Sequence, residues 1–286
     1  MRSYVVVPAN ENSTEGPRGD HGVRRLRTGL PRIVTTSWDD GDALDLRVAR
    51  MLADRKLPAT FYIPVKGHHG SERMSRADML ALGSCGFEIG AHGISHPNLP
   101  ECEPLQLAVE VEGSKKRLED DLGKQVKVFA YPRGKHNRSV MAAVGRAGFI
   151  GARTTAMLAR GLTFDPLRMP TSVQAFPHSR AGYARNLASA RNIARAWKYR
   201  TLLWHTVDWV DLARHLFDTV LECGGVWHLY GHSWEIDKLN LWEELGVVLD
   251  FVSKRPGVSY LANGEVAELR AAGSATMVLC GDQSAT

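Results

Sequence analysis

The sequence predicts an α/β protein built as a closed barrel of parallel strands wrapped by helices, in a single domain. Short runs rich in β-branched and aromatic residues alternate with segments of helical spacing about seven times along the chain. This alternation is typical of parallel strands joined by helical crossovers. The length of 286 residues and the hydrophobic fraction of 44% suit one such domain. An open, doubly wound sheet is the second interpretation, because it produces the same alternation.

The elements follow one another from residue 32 onward. Residues 1–31 show no period and are interpreted as a loose arm, residues 32–270 as the barrel domain and residues 271–286 as a tail. Apolar residues on one face predict the first helix after residue 43, and Ser75 is a candidate N-cap for the second. Strands are predicted at 32–38, 59–65, 87–92, 126–132, 149–154, 201–207, 224–232 and 258–264. Helices are predicted at 75–86, 104–122, 138–148, 181–199, 211–224 and 241–255.

Composition argues against several classes of protein. The net charge is +5, but the basic clusters at 18–32 and 185–200 lack interleaved aromatic residues, so no nucleic-acid partner is expected. No apolar run reaches the roughly 18 residues of a transmembrane helix. The apolar run Tyr4–Val7 is too short for a secretory signal, so a cytoplasmic location is expected. Four scattered cysteines without a Cys-x-x-Cys pair favour reduced thiols.

Ionisable residues recur where the predicted strands end. The carboxyl ends of parallel strands meet at one rim of a barrel, and catalytic residues gather there. We therefore expect the residues at these ends to lie close together. They are the pair Asp39-Asp40, the histidines of the stretch AHGISHP (His92 and His96), the segment Tyr131-Pro132-Arg133-Gly134, and His232.

One carboxylate and two imidazoles in this set suggest a metal site. Zinc and similar ions favour this donor set, and catalytic sites keep a fourth position open for water. Asp40, His92 and His96 would supply it if the loop turns tightly at Gly93. Asp39 would then be free to act as a general base. The alternatives are that each histidine forms only local hydrogen bonds and that the aspartates belong to a solvated helix N-terminus.

His232 is the candidate proton donor to a leaving group. It follows a predicted strand and would face the rim. Asp208 or Asp211 could orient it or raise its pKa. His228 and His205 are interpreted as packed strand residues.

Four motifs resemble those of the polysaccharide deacetylases, the NodB homology proteins of carbohydrate esterase family four. SWDDG is similar to their Thr-Phe-Asp-Asp-Gly motif and HGISH to their His-Ser/Thr-x-x-His motif, while YPRG and GHSWEID resemble later motifs. The resemblance spans residues 32–265. It implies a distorted (β/α)7 barrel and a divalent metal, usually zinc, with cobalt or manganese as alternatives. It also implies Asp39 as the base, His232 as the acid, and Asp40, His92 and His96 as metal ligands.

The chain departs from the family pattern in several places: Trp38 replaces the usual Phe of the first motif, and the fourth motif has no clear match beyond Asp208-Trp209. The third family motif reads Arg-x-Pro-Tyr-Gly, but Ala130 stands at the position of the arginine that would contact the base, and Arg133 replaces the tyrosine. Gly93 stands where the second motif has Ser or Thr. Tyr131, Pro132 and Arg133 are still expected to contact substrate, with a backbone N–H near Arg133 stabilising the oxyanion.

The function predicted from these features is a metal-dependent hydrolase that removes an N-acetyl group from an amino sugar or oligosaccharide. The N-acylated sugar is then the partner. An alternative is deformylation of a lipid-linked amino sugar, with peripheral contact to the lipid, or hydrolysis of another non-peptide C–N bond. A carbohydrate-binding module on an inactive barrel is a third reading, but all five candidate catalytic and metal residues are present.

Overall fold

The computed structural model describes residues 29–67, 74–189 and 208–281, and its strands form one parallel sheet. Seven strands follow the order β5-β4-β3-β2-β1-β7-β6, and β8 pairs with the first part of β1. The strands are β1 (Arg32–Asp39), β2 (Thr60–Ile63), β3 (Glu88–Ala91), β4 (Val128–Ala130), β5 (Gly151–Arg153), β6 (Val173–Gln174), β7 (Gly225–Gly231) and β8 (Ser259–Tyr260).

The two ends of this order are joined by backbone hydrogen bonds. Met169 N donates to Ala152 O and Thr154 N donates to Met169 O, both at 2.8 Å, which brings the segment before β6 against β5. The sheet therefore curls into a barrel, distorted at this short junction. The predicted (β/α)7 barrel is confirmed, and the open doubly wound sheet is wrong.

Helices surround the sheet. In the described residues they are α1 (Asp45–Ala53), α2 (Arg76–Ser84), α3 (Pro104–Ala108), α4 (Ser114–Leu122), α5 (Arg138–Arg146), α6 (Arg180–Ser189), α7 (Trp209–Cys223), α8 (Ser233–Lys238), α9 (Trp242–Val252) and α10 (Asn263–Gly281). Ser75 caps α2 as predicted, within a reciprocal capping box with Asp78. None of these helices is long and apolar enough to cross a membrane.

Two predicted elements differ in detail. The helix predicted over 104–122 is interrupted by a π-helical turn at Val109–Gly113, and this turn carries a buried glutamate of the site described below. Strand β6 lies in a segment for which no strand is predicted above. The strand predicted at 201–207 and most of the arm at 1–31 lie outside the described residues.

The N-terminus of α10 closes the end of the barrel opposite the site. Asn263 is fully buried there, where its Nδ2 donates to Tyr62 Oη at 2.9 Å and its Oδ1 accepts from Thr35 Oγ1 at 2.8 Å. α10 then continues to Gly281, across the boundary predicted at residue 270. Asn263 thus joins the buried polar side chains of β1 and β2.

Candidate metal and catalytic site

The end of β1 delivers two consecutive carboxylates to the same cavity. Successive side chains of a strand point to opposite faces, but the backbone turns left-handed at Asp40 (φ 78°) and Gly41 (φ 62°), so Asp39 and Asp40 both line the mouth of the barrel. A Cβ at Gly41 would lie 2.8 Å from Ile63 Cγ2. The turn therefore requires glycine at this position for both conformational and steric reasons.

The loop after β3 brings both histidines to Asp40. The Nδ1 atom of His92 bonds with Ala130 O at 2.8 Å, which directs Nε2 toward the carboxylates. The Nε2 atoms of His92 and His96 lie 3.8 and 3.7 Å from Asp40 Oδ1. Gly93 turns the chain between them with a φ of 79°. Asp40, His92 and His96 thus form one buried group, as the sequence suggests.

The residues of this group fit a divalent cation. One ligand atom from each lies within 4.8 Å of the others. Asp40 Oδ1 is buried without a hydrogen-bond partner, which is costly unless a cation satisfies it. Burial lowers the pKa of His92, and the neutral imidazole is the form that binds metal. Trp234 Nε1 donates to Asp40 Oδ2 at 2.9 Å and so orients the carboxylate, which leaves Oδ1 for the cation.

Glu110 on the π-helical turn holds the histidine loop in place. Its Oε2 accepts from Ile94 N at 2.7 Å and Ser95 N at 3.0 Å, and its Oε1 accepts from Ser95 Oγ at 2.5 Å. A Cβ at Gly93 would lie only 3.1 Å from Glu110 Oε2. Glu110 therefore occupies space beside the position where the family pattern has a hydroxyl side chain.

Replacing Glu110 with glutamine is expected to weaken metal binding by roughly 10- to 100-fold, the usual cost of losing a residue that orients the ligands. The amide cannot accept hydrogen bonds at both positions, so the loop between His92 and His96 loosens. Calorimetric titration with Zn²⁺ measures the change. The matched control is Glu112→Gln on the same turn, where the side chain is exposed. Equal affinities in the two variants would contradict the role of Glu110.

Asp39 forms a buried ion pair with Arg153 at the end of β5. The guanidinium donates to Asp39 Oδ2 and is fully buried between the rings of Tyr62 and Tyr230, whose centroids lie 5.4 and 4.9 Å from Arg153 Cζ. Burial alone would raise the pKa of Asp39, but the charge of Arg153, helped by His92 and His232, lowers it below its ordinary value. Asp39 is therefore ionised, and its Oδ1 has no hydrogen-bond partner.

Arg153 lies beside the position where the family pattern has its arginine. Ala130 on β4 and Arg153 on β5 are partners in the parallel ladder. Residues paired in this way project to the same face of a sheet. The side chain that contacts Asp39 is therefore supplied by the neighbouring strand, and Arg133 forms no hydrogen bond or ion pair with Asp39 among the described residues.

His232 faces the carboxylates and is held by Glu235. Its Nδ1 lies 2.7 Å from Glu235 Oε2, while its Nε2 lies 3.8 Å from Asp39 Oδ2 and 4.0 Å from Asp40 Oδ2. Burial alone would lower the pKa of His232, but the hydrogen bond to Glu235 and the nearby carboxylates raise it to about 9. Gln174 Nε2 donates to Glu235 Oε2 at 2.9 Å and fixes the carboxylate.

Asp208, which the sequence suggests as the partner of His232, is engaged at the start of α7. Its Oδ1 accepts from Val210 N at 2.9 Å and Asp211 N at 3.0 Å, so it acts as an N-cap. Glu235 takes the place beside His232 because it lies three residues further along the turn into α8.

The Glu235→Gln variant is expected to lower kcat about tenfold or more with a smaller change in KM, because the carboxylate charge that favours protonated His232 is lost. In the metal-free protein, the imidazole pKa of about 9 should fall in this variant. Steady-state kinetics and NMR titration of His232 measure the two effects. Asp208→Asn is the control and should leave both unchanged. A lower kcat in Asp208→Asn alone would contradict this assignment.

The third motif contributes one side chain to the cavity rather than three. Arg133 lines it, whereas Tyr131 is fully buried, and its hydroxyl donates to Leu167 O at 2.9 Å. Pro132 is buried under the loop. The Tyr131 and Pro132 side chains therefore do not line this cavity, and their contact with substrate stays a prediction. The cavity has a volume of about 240 Å³ and is lined by Asp39, Asp40, His92, His96, Arg133, Thr155, Gln174, Tyr230, His232, Trp234 and Glu235.

Solved structures with the same fold come from several deacetylase proteins. A Mycobacterium smegmatis protein described as a polysaccharide deacetylase has a TM-score of 0.62 at 14% identity. The alignment covers 86% of this chain and 93% of that protein. The chitin deacetylase of Colletotrichum lindemuthianum has a TM-score of 0.55 at 13% identity, with 83% and 88% covered. The Xyl-CE4 domain of a xylanase from the hindgut metagenome of Trinervitermes trinervoides has a TM-score of 0.52 at 12% identity, with 84% and 92% covered.

The family model for polysaccharide deacetylase matches residues 27–152, which carry Asp39, Asp40, His92 and His96. No curated protein sequence matches the chain significantly. The likeness to the solved structures shows a barrel of the same fold, and the family model covers its first half. Residues 27–152 are thus similar to the polysaccharide deacetylase family.

Proposed function

We propose that the protein is a metal-dependent deacetylase that hydrolyses the N-acetyl group of an amino sugar or oligosaccharide. The observation that supports this proposal is that a metal-ligand group and an acid–base pair line the same cavity. Asp40, His92 and His96 form a ligand group for a divalent cation, probed first with Zn²⁺. Asp39 and His232 stand beside it as a separate base and acid, with 3.8 Å between Asp39 Oδ2 and His232 Nε2.

The side chains divide the proton transfers of amide hydrolysis between them. Asp39, ionised because of Arg153, accepts a proton from the attacking water through its unpartnered Oδ1. The water oxygen bonds to the acyl carbon, and the C–N bond breaks. His232 donates a proton to the departing nitrogen, which would otherwise leave poorly as an anion. The proton held by Asp39 returns through solvent and recharges His232, so that acetate and a free amine are the products.

The cation held by Asp40, His92 and His96 would polarise the acyl carbonyl and acidify a water molecule. Trp234 and Ala130 O keep the ligand side chains oriented for it. The Nδ1–Glu235 contact leaves Nε2 of His232 as the atom that faces the reacting groups.

The test is a release assay with Zn²⁺-loaded protein and defined N-acylated amino sugars, in which acetate, formate and the free amine are all quantified. We expect acetate and amine in equal amounts. Formate release without acetate would replace the acetyl assignment with the deformylase alternative. Release of neither acid from any substrate, with the metal bound, would contradict a hydrolytic role and favour a binding module.

A further inference from the structure

Arg133 presents a positive charge at the cavity without an acidic partner. Its side chain is exposed and lines the cavity beside Thr155. Among residues 29–67, 74–189 and 208–281, it makes no side-chain hydrogen bond or ion pair. Two acidic side chains of the cavity have other partners, since Asp39 pairs with Arg153, and Glu235 bonds with His232 and Gln174.

The backbone conformation of this loop fixes the position of Arg133 beside the cavity. Arg133 adopts a left-handed conformation (φ 54°, ψ 17°), which is uncommon for a non-glycine residue. Gly134 follows with a φ of 68°, and a Cβ there would lie 2.1 Å from Thr155 Oγ1. The hydrogen bonds from Gly134 N to Tyr131 O at 2.7 Å and from Lys135 N to Pro132 O at 3.0 Å tighten the turn. Strain of this kind persists where the surrounding structure fixes it, often at functional sites.

Two further cations follow Arg133 closely in the sequence. Lys135 and Arg138 are exposed and follow in the same loop and at the start of α5. Like Arg133, they form no ion pair with the described part of the chain. Exposed positive charge attracts ligands of the opposite sign, and a guanidinium binds carboxylate and phosphate groups through paired hydrogen bonds.

We propose that Arg133 forms an anion subsite and that the substrate carries a carboxylate or a phosphate next to its acylated amino sugar. This rests on the proposed function, because it places the anion on the sugar whose amide is cut. The arginine selects for charge, while Asp39, His232 and the ligand group carry out the hydrolysis. A neutral N-acetylated oligomer would enter the same cavity without this contact.

Three probes test the proposal: neutral N-acetylglucosamine oligomers, N-acetylmuramic acid for a carboxylate, and N-acetylglucosamine 1-phosphate for a phosphate. We expect wild-type kcat/KM to favour at least one anionic probe over the neutral one by about tenfold or more. Arg133→Met should bring that ratio close to one. The control is Arg146→Met, which also removes one positive charge. Arg146 lies at the end of α5, about 12 Å along the helix from Arg138, so this variant should leave the ratio unchanged. The anionic probe with the higher kcat/KM shows whether the subsite prefers a carboxylate or a phosphate.

A binding readout makes the result independent of turnover. Calorimetry on the metal-free protein should show glucosamine 1-phosphate or muramic acid binding more tightly than glucosamine, and Arg133→Met should remove the difference. Equal kcat/KM for neutral and charged probes in the wild type, or an unchanged preference in Arg133→Met, would overturn the subsite. If neutral oligomers are deacetylated without any charge preference, only the subsite fails. If no probe releases an acid, the proposed function fails.

Discussion

Replacing Arg153 with alanine is expected to lower kcat at least about a hundredfold and to destabilise the fold by about 3–5 kcal/mol. The variant leaves the carboxylate of Asp39 buried without its cation. Burial then raises the pKa of Asp39, because the opposing charge of Arg153 is gone. Less of the base is ionised at neutral pH, and its orientation is lost. Acetate release and urea-induced unfolding of the Zn²⁺-loaded protein measure the two effects.

The ladder partner of Arg153 offers a matched rescue. Ala130 is fully buried opposite Arg153, at the position where the family pattern has its arginine. The double variant Arg153→Ala with Ala130→Arg should recover part of the lost kcat, because the new guanidinium starts from the neighbouring strand on the same face. Arg153→Lys should retain more stability than Arg153→Ala but lack the planar donor group. Wild-type kcat and stability in Arg153→Ala would contradict the positioning of Asp39 by this ion pair.

The Asp39→Asn variant is expected to lower kcat by roughly 10²- to 10⁴-fold, the range typical for removing a general base. Asparagine cannot accept the proton of the attacking water, while the ligand group formed with Asp40 is untouched. Mass spectrometry under native conditions should therefore find Zn²⁺ still bound. In Asp40→Asn, by contrast, metal binding itself should weaken, and acetate release should be lost because the cation is missing.

Zn²⁺ binding and kcat therefore distinguish the roles of the two aspartates, although these residues are adjacent. Loss of Zn²⁺ in Asp39→Asn would place this carboxylate among the ligands. A kcat within a few fold of wild type in the metal-loaded Asp39→Asn variant would remove it from the proton transfers and leave the base unassigned.

The sequence could predict the part of the site that depends on strand ends. Parallel strands bring their carboxyl ends to one rim, so Asp39, Asp40, His92 and His232 could be placed together from the alternation of elements alone. The spacing of His92 and His96 around Gly93 then pointed to a shared ligand group. The barrel was predictable for the same reason, because the alternation of strands and helices is a local pattern in the sequence.

The supporting residues depend on contacts that no local pattern encodes. Arg153 and Asp39 are 114 residues apart and meet only because β5 curls toward β1 across the barrel. Glu110 reaches the histidine loop because the helix after residue 104 widens into a π-helical turn. Glu235 carried a signal that was available, since it lies three residues after His232 at the start of a helix, where the two side chains share a face.

The location in the cell stays a prediction, and so does the identity of the native cation. The geometry nevertheless defines what a cation must do here. It must bind one carboxylate oxygen and two imidazole nitrogens in a buried group. Harder ions such as Mg²⁺ prefer oxygen ligands, whereas Zn²⁺ accepts this mixture.

We expect the Asp40, His92 and His96 group to bind one cation that hydrolysis requires. The most direct measurement titrates Zn²⁺ into chelator-treated protein while acetate release from an N-acetylated amino sugar is followed. We expect no release without metal, a rise that ends at one Zn²⁺ per chain, and no rise in His96→Ala at the same metal concentrations. Full acetate release from the chelator-treated protein, or an unchanged titration in His96→Ala, would contradict it.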